Sequence, residues 1–270
     1  MLVFPNAKIN IGLNILEKRP DNFHNIQTIF YPIGLSDALE VVEDNSIEDD
    51  FEISFSGIEV DAEPQNNLVV KAYLMLKDKY KLPKIRIHLH KNIPFGAGMG
   101  GGSSDAAFML VLLNNLFDIG LNQEQLLYFA SLLGSDCAFF VLNYPCFATK
   151  KGEVLQSINL DLSQYSIVVA KPDVNIPTKN VYSLVTPNNN VQSLEELIKL
   201  PIEQWKDTIV NDFEKPIFKQ YPKIAALKQK FYDFGAIYSQ MTGSGSAIFG
   251  IFDKNQKVDF GYLPIVYSEL

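Results

Sequence analysis

The sequence predicts a fold of mixed strands and helices, because two kinds of hydrophobic periodicity occur along the chain. Residues 84–90 place apolar side chains at every second position, the period of a half-buried strand. Residues 106–116 and 123–133 are apolar over helical lengths, and Asn122 is a candidate N-cap for the second of these helices. The 270 residues are enough for one large domain or two small ones.

The composition argues against a nucleic-acid-binding protein and against a disulfide-rich one. The formal net charge is −8, the pI is about 5.0 and no basic run stands out, so a nucleic-acid partner is not expected. Two cysteines do not indicate a disulfide framework, which agrees with a reducing cytoplasm.

The N-terminal segment does not resemble a signal peptide, because Pro5 and Lys8 interrupt it. The longest apolar run, residues 106–113, is far shorter than the roughly 20 residues that cross a bilayer. We therefore expect a soluble cytoplasmic protein without a membrane partner. The sequence does not predict its oligomeric state.

The most informative stretch is a glycine-rich loop between a predicted strand and a predicted helix. Glycine occupies five of the seven positions from 96 to 102. Glycines bring the backbone close to a ligand, and the first turn of a helix has N–H groups without intrahelical partners. Together they favour binding of an anion, most naturally phosphate. The alternative is a turn capped by Ser103 or Ser104, but one cap does not require five glycines.

Three common nucleotide-binding motifs do not fit this loop. Gly96-x-Gly98-x-x-Gly101 matches a dinucleotide fingerprint, but the acidic candidate, Asp118, closes a helical stretch and does not follow a strand. No lysine follows the last glycine, as a Walker loop requires. Ser103 stands where the protein-kinase loop has valine.

The order Pro-x-Gly-x-Gly-x-Gly-Gly-Gly-Ser-Ser-Asp-Ala-Ala over residues 94–107 resembles the central motif of the GHMP kinases. This resemblance implies a two-lobed α+β fold with the active site in the cleft between lobes, divided into residues 1–150 and 151–270. It also implies that the loop binds ATP with Mg²⁺, a hydroxyl of Ser103 or Ser104 being a metal ligand. The implied ATP-binding residues are Asn67, Pro94, Phe95, Gly96, Ala97, Gly98, Met99, Gly100, Gly101, Gly102, Ser103 and Ser104.

Lys8 and Asn10 lie in a predicted N-terminal strand, where they share one face. Taken alone, this pattern is typical of a solvated strand face. The surrounding Pro-x-Ala-Lys-x-Asn segment, however, also resembles the GHMP kinases. The resemblance implies that Lys8 is catalytic and that Asn10 contacts substrate.

Two further segments resemble the diphosphocytidyl-methylerythritol kinase branch of this superfamily. Residues 19–28 follow Arg-x-Asp-x-Tyr/Phe-His-x-x-x-Thr, which implies that Phe23 and His24 contact the cytidine. Aromatic stacking on a base contributes roughly 1–3 kcal/mol. A Pro-x-x-x-Ile-Pro-Thr run implies that Thr178 and Tyr182 line the same pocket. Phe23 and Tyr182 would then sandwich one base.

Asp136 precedes a strongly apolar segment, and Ser-Asp at such a position is a common helix cap. The run Leu-Gly-x-Asp-x-x-Phe-Phe also resembles the family segment that carries the catalytic aspartate. Both roles are compatible, because a helix N-terminus keeps a carboxylate ionised. Gly134 is predicted to end the preceding helix in the left-handed conformation.

Residues 241–250 form a second glycine–serine loop that matches the third superfamily motif. It is expected to pack against the first loop or to touch substrate phosphate, and Gly243 and Ser244 are its implied substrate contacts. Before it, Ser193 to Glu196 predict a capping box and residues 216–234 predict one long helix. The structure after Asp253 is not predicted.

The resemblance implies that the chain transfers the ATP γ-phosphoryl group to the 2-hydroxyl of a small-molecule substrate, the cytidine diphosphate conjugate of methylerythritol. Asp136 would take the hydroxyl proton, and Lys8 would stabilise charge and keep Asp136 ionised. Two alternatives stay open: a homoserine- or mevalonate-type kinase, and a non-catalytic nucleotide-binding relative. The Phe23-His24 segment argues against the first, and the presence of both Lys8 and Asp136 argues against the second.

Overall fold

The computed structural model describes residues 1–60, 63–176 and 181–270. These residues form two compact units, each assembled from separated stretches of the chain. The first unit comprises Met1–Ala7, Gly34–Pro94 and Gly100–Asn143, and the second comprises Lys8–Ile33, Phe95–Met99 and Tyr144–Leu270. The predicted domain boundary at residue 150 stays a prediction.

The first unit contains a four-stranded sheet in the order β1-β4-β6-β5. Its strands are β1 (Leu2–Val3), β4 (Ala38–Glu43), β5 (Phe51–Gly57) and β6 (Ile85–Lys91). Strand β6 is antiparallel to β4 and parallel to β5. The predicted alternation in β6 is confirmed, since Ile85, Ile87 and Leu89 are buried.

Among its described residues, four α-helices complete the first unit: α1 (Leu68–Tyr80), α2 (Gly101–Leu116), α3 (Gln123–Leu133) and α4 (Cys137–Leu142). Helix α3 has the predicted bounds, and Asn122 forms a capping box with Gln125. Apolar side chains of α1 to α3 pack with the sheet in one core, including Tyr73, Leu110 and Phe129.

Gly134 ends α3 as predicted, but the predicted left-handed conformation is wrong, because this residue is extended, with φ 175° and ψ 158°. The Gly134 carbonyl instead accepts a hydrogen bond from the N–H of Cys137 at 3.2 Å. The chain therefore passes directly from α3 into the turn that opens α4, and no left-handed residue is needed between them.

The second unit contains two four-stranded sheets, ordered β2-β3-β7-β8 and β10-β11-β9-β12. The first sheet is built from β2 (Asn6–Lys18), β3 (His24–Ser36), β7 (Cys146–Lys150) and β8 (Val154–Ser157). The second is built from β9 (Tyr165–Ala170), β10 (Tyr238–Met241), β11 (Ile248–Asp253) and β12 (Ile265–Ser268). The chain after Asp253 thus returns to β9 as an antiparallel strand.

The described helices of the second unit include α5 (Leu194–Leu197), α6 (Trp205–Thr208), α7 (Glu214–Gln220) and α8 (Pro222–Asp233). The prediction of one long helix is wrong, because the helical conformation is interrupted at Tyr221, whose angles are φ −127° and ψ 74°. Proline lacks an N–H and disfavours the helical conformation of the residue before it, so Pro222 ends α7 and begins α8.

The predicted capping box at α5 is also wrong. The Ser193 hydroxyl accepts from the Glu195 N–H at 3.2 Å, whereas the Glu196 N–H donates to the Ser193 carbonyl. Ser193 still caps the helix, by a tighter local turn.

The described helices are short relative to a bilayer. None of those within residues 1–60, 63–176 and 181–270 combines the length and apolar character that a membrane span requires.

Candidate active site

The glycine loop leads directly into the first turn of α2. This helix begins at Gly101, and Gly100 is its N-cap in the left-handed conformation, with φ 74°. Ser103 and Ser104 therefore lie inside the first turn, and the alternative that one of them caps the helix is wrong. The N–H groups of the first turn point out of the helix N-terminus, as the predicted phosphate site requires.

The two serines of the first turn have different environments. Ser104 is fully buried, and its hydroxyl donates to the Asn6 carbonyl at 2.7 Å. Ser103 is half-buried and its hydroxyl contacts the Cys137 thiol. Burial raises the pKa of Cys137 to about 12, so this thiol is neutral. Of the two hydroxyls, that of Ser103 is the one within reach of a ligand.

Asp136 lies at the start of α4, immediately before Cys137 and therefore close to the first turn of α2. It occupies the N-cap position with φ −83° and ψ −13°, but its side chain makes no capping hydrogen bond. The interpretation of Asp136 as a helix cap is therefore wrong. Within the first unit, Ser103 and Asp136 both lie near Cys137.

Lys8 and Asn10 are buried in the second unit, with exposed fractions of 3% and 2%. The interpretation of a solvated strand face is therefore wrong. The Lys8 ammonium donates to the Asn10 Oδ1 at 2.5 Å and to the Gly98 carbonyl at 2.9 Å. It also lies 5.1 Å from the centroid of the Phe30 ring, within cation–π range. These contacts hold the ammonium against the glycine loop.

The second glycine loop packs against residues of the first. The N–H groups of Ser246 and Ala247 donate to the carbonyls of Gly96 and Ala97, each at 3.3 Å. At Gly98, where φ is +77°, an added Cβ would lie 2.1 Å from the Thr242 carbonyl. Glycine is required there because the two backbones approach so closely. Contacts of Gly243 and Ser244 with substrate stay a prediction.

The predicted cytidine residues are arranged differently from the expected sandwich. His24 and Tyr182 stack on each other, with ring centroids 5.0 Å apart and planes 23° apart. Phe23 is 54% exposed, and the Lys151 ammonium lies 5.0 Å from its ring centroid. Desolvation and the nearby Lys18 charge lower the pKa of His24, so its ring is neutral at neutral pH. Thr178 lies outside the described residues.

Sequence reasoning missed a buried ionic cluster, formed by Asp37, Lys91 and Asp105, at the two ends of the glycine loop. The Lys91 ammonium donates to the Asp37 carboxylate and, at 2.6 Å, to the Asp105 carboxylate. Asp37 also accepts from the N–H groups of Asn92 and Ile93, at 2.6 and 2.8 Å. The cluster thus links the segment before the loop to helix α2 after it.

No spacing pattern in the sequence predicts this cluster, because its three residues come from separate parts of the fold. Lys91 ends β6, Asp105 belongs to α2, and Asp37 lies between β3 and β4. The only local signal was Asp105 within the glycine-loop motif.

Metal-binding side chains are not concentrated at the site. Among the residues that the structure describes, no three His, Cys, Asp or Glu side chains are grouped as metal ligands.

Comparisons with known proteins agree with the motif evidence. The family described as the GHMP kinases N terminal domain matches residues 67–144, and the GHMP kinases C terminal family matches residues 185–262. A protein of Bacteroides fragilis named 4-diphosphocytidyl-2-C-methyl-D-erythritol kinase is 50% identical over 258 residues, which are 96% of this chain and 94% of that one. A protein of the same name from Bacteroides thetaiotaomicron is 47% identical, over 94% of this chain and 92% of that one.

Solved structures give the same result. The crystal structure of a 4-(cytidine 5'-diphospho)-2C-methyl-D-erythritol kinase superposes with a TM-score of 0.79 and 32% identity, over 93% of this chain and 90% of that one. The Methanococcus jannaschii mevalonate kinase has a TM-score of 0.68 and 12% identity, covers 93% of this chain and 90% of that one, and shows the fold alone. The predicted GHMP kinase fold is confirmed. This chain belongs to the GHMP kinases and, within them, to the 4-diphosphocytidyl-2-C-methyl-D-erythritol kinase family.

Proposed function

We propose that this chain transfers the γ-phosphoryl group of ATP to the 2-hydroxyl of 4-diphosphocytidyl-2-C-methyl-D-erythritol. The observation that carries the proposal is the buried Lys8 ammonium, held at 2.9 Å from the Gly98 carbonyl of the glycine loop, in a chain half identical to kinases of that name. Phosphoryl transfer depends on positioning and charge stabilisation, and a fixed cation beside a phosphate loop supplies both.

ATP binds to the glycine loop in this proposal. The contacts come from residues 94–104, chiefly through backbone N–H groups at the start of α2. Asn67 is the proposed contact outside the loop. Its Oδ1 already accepts from the Val69 N–H at 2.9 Å, so its amide NH₂ is the group that meets the nucleotide.

Mg²⁺ accompanies ATP, and the donor set at the loop fits such a complex. Phosphate oxygens and water supply most ligands of nucleotide-bound Mg²⁺, so a carboxylate cage is not needed. Ser103 offers the accessible hydroxyl, whereas the buried Ser104 hydroxyl is bonded to Asn6. When bound, the metal would neutralise part of the negative charge of the phosphates.

Ser103→Ala is expected to raise the free Mg²⁺ concentration for half-maximal rate about threefold or more, because the hydroxyl ligand is lost. Initial rates at saturating ATP over a Mg²⁺ titration measure this. Ser104→Ala is the matched control: it loses the bond to Asn6 and about 1 kcal/mol of stability, with an unchanged Mg²⁺ dependence. Equal Mg²⁺ dependence in Ser103→Ala and the unmodified protein would exclude Ser103 as a ligand.

The chemical step is assigned to two residues. Asp136 accepts the proton of the attacking hydroxyl and orients its oxygen. Lys8 stabilises negative charge on the transferring group. Asn10, Gly243 and Ser244 are the proposed substrate contacts.

The cytidine is bound by Phe23, His24, Thr178 and Tyr182 in this proposal. Because the His24 and Tyr182 rings are already stacked at 5.0 Å, the exposed Phe23 ring is the proposed aromatic face for the base, on the side away from the Lys151 ammonium. The neutral His24 ring keeps one acceptor nitrogen for a polar edge of the base.

Phe23→Ala is expected to raise the KM for the cytidylyl substrate by about 5- to 150-fold, because stacking on a base contributes roughly 1–3 kcal/mol. The KM for ATP should change less than about twofold. Steady-state kinetics with each substrate varied separately measure both. Phe23→Tyr keeps the ring and serves as the control. An equal rise in both KM values would contradict a cytidine contact.

A coupled ADP-release assay with Mg-ATP tests the function directly. It compares the diphosphocytidyl methylerythritol substrate with homoserine, mevalonate and phosphomevalonate. Turnover confined to the cytidylyl substrate supports the proposal. Turnover with another acceptor keeps the kinase activity and rejects the cytidine site, while binding of ATP without any turnover favours a non-catalytic relative.

A further inference from the structure

Asn10 lies at the centre of a hydrogen-bond network that also contains the proposed catalytic lysine. Its Nδ2 group donates to the Thr28 Oγ1 at 2.9 Å, and the Thr28 hydroxyl donates to the Gly12 carbonyl at 2.5 Å. Thr28 is fully buried. A hydroxyl has one proton, and Gly12 takes it because a carbonyl oxygen only accepts. Thr28 therefore presents an acceptor to Asn10, which fixes the NH₂ group on that side.

The oxygen of the Asn10 side-chain amide, on the opposite side, faces hydrogen-bond donors. The Asn10 Oδ1 accepts from the Lys8 ammonium at 2.5 Å. The Thr242 Oγ1 accepts from the Asn10 backbone N–H at 3.0 Å and lies 3.3 Å from Oδ1 and 3.1 Å from the Gly98 carbonyl. These two oxygens are also the acceptors of the Lys8 ammonium. The single Thr242 hydroxyl proton is thus directed at the pair of oxygens that holds Lys8, and it bonds one of them at a time.

The alternative amide orientation is excluded by these partners. With the amide reversed, its NH₂ group would face the Lys8 ammonium, and its oxygen would face a Thr28 oxygen whose proton is committed elsewhere. A donor would then face a donor and an acceptor would face an acceptor, in a buried site where Asn10 is only 2% exposed. Buried polar groups without partners are costly, so Thr28 and the Lys8 ammonium set the orientation of the amide, and Thr242, which accepts from the Asn10 backbone N–H, holds the residue in place.

We propose that Thr28 and Thr242 are positioning residues, which fix the amide of Asn10 and thereby the ammonium of Lys8 for phosphoryl transfer. This inference rests on the proposed function. Neither threonine needs to touch substrate for this role. The expected effect is therefore on kcat, because misplacement of a catalytic group by a fraction of an ångström slows the chemical step more than it weakens binding.

Thr28→Val keeps the shape of the side chain and removes its hydroxyl. We expect kcat to fall by about tenfold or more, with both KM values within about threefold. Thr28→Ser restores the hydroxyl and should restore kcat to within about threefold of the unmodified protein. If Thr28→Val fails to fold, Thr242→Val tests the same network from the other side, with the same expected fall.

A double-mutant comparison separates positioning from simple packing. In an Asn10→Asp background the side chain has two equivalent oxygens and no orientation to lose. Thr28→Val should then lower kcat less than about threefold further, whereas a packing defect lowers kcat by the same factor in both backgrounds. An equal factor in both backgrounds, or failure of Thr28→Ser to restore kcat, would overturn the inference.

Hydrogen exchange of the Asn10 side-chain amide, followed by ¹⁵N NMR, gives a readout that does not depend on turnover. We expect slow exchange in the unmodified protein and in Thr28→Ser, and fast exchange in Thr28→Val. If the unmodified protein binds ATP but does not phosphorylate the cytidylyl substrate, this exchange pattern still supports the network while the proposed function fails. Fast exchange in the unmodified protein would overturn the inference even if the enzyme is active.

Discussion

Asp136→Asn is expected to lower kcat by about 10²-fold or more, the usual scale for loss of a general base. The amide has the shape of the carboxylate but cannot take the hydroxyl proton. The KM for ATP should change less than about threefold, because the triphosphate is bound through the glycine loop and the N-terminus of α2. Steady-state kinetics with the cytidylyl substrate, at saturating Mg-ATP, measure kcat.

This substitution removes no helix cap, because the Asp136 side chain makes no capping hydrogen bond. Losing a true cap would cost about 0.5–2 kcal/mol. The thermal midpoint of Asp136→Asn, compared with that of the unmodified protein, checks that the fall in kcat does not come from unfolding. Asp118→Asn is the matched control: Asp118 is exposed beyond the C-terminal end of α2 and has φ 47°, a conformation that asparagine accepts. Near-normal kcat in Asp136→Asn would exclude the general-base role.

Short-range patterns predicted the parts of the fold that depend on neighbouring residues. The period of two in β6 and the bounds of α3 follow from local apolar spacing and from the Asn122 cap. The break at Pro222 was also readable, because proline marks a helix start as clearly as it marks a stop.

Contacts between distant segments could not be read from the sequence. The face that carries Lys8 and Asn10 is polar by pattern, yet it is buried because it meets Gly98 and Thr242 from far along the chain. The pairing of His24 with Tyr182 could not be predicted either, because these two residues are also far apart along the chain. Residue types predicted which side chains carry chemistry, but their partners are set by tertiary packing.

Lys91→Met is expected to lower the free energy of unfolding by about 3–5 kcal/mol, the cost of removing one partner of a buried ion pair. Lys91 is 2% exposed and bonded to both Asp37 and Asp105. Without the ammonium, two buried carboxylates would face each other. They lie close to the first residue of α2, because the Lys91 Nζ is only 3.5 Å from the position that a Cβ on Gly101 would take. Urea unfolding at pH 8 measures the loss.

Asp105→Asn is the matched control for this cluster, and it should not lower the free energy of unfolding at pH 8 by more than about 1 kcal/mol. Its amide keeps an acceptor for Lys91 and leaves the Lys91–Asp37 pair neutral overall. Equal losses in Lys91→Met and Asp105→Asn would contradict a special cost of unpaired charge. A loss below about 1 kcal/mol in Lys91→Met would show that the cluster contributes little to folding.

The same cluster predicts a pH dependence of stability. Burial raises the pKa of Asp105 from 3.8 to about 7, so between these values the folded state holds a proton that the unfolded state releases. The stabilisation is complete below the unfolded pKa and is lost as the pH rises through the folded one. The free energy of unfolding of the nucleotide-free protein, in chelator, should therefore decline between about pH 4 and pH 7 more steeply than in Asp105→Asn. Parallel profiles for the two proteins would mean that Asp105 is ionised in the folded state throughout this range, with Lys91 offsetting the cost of its burial.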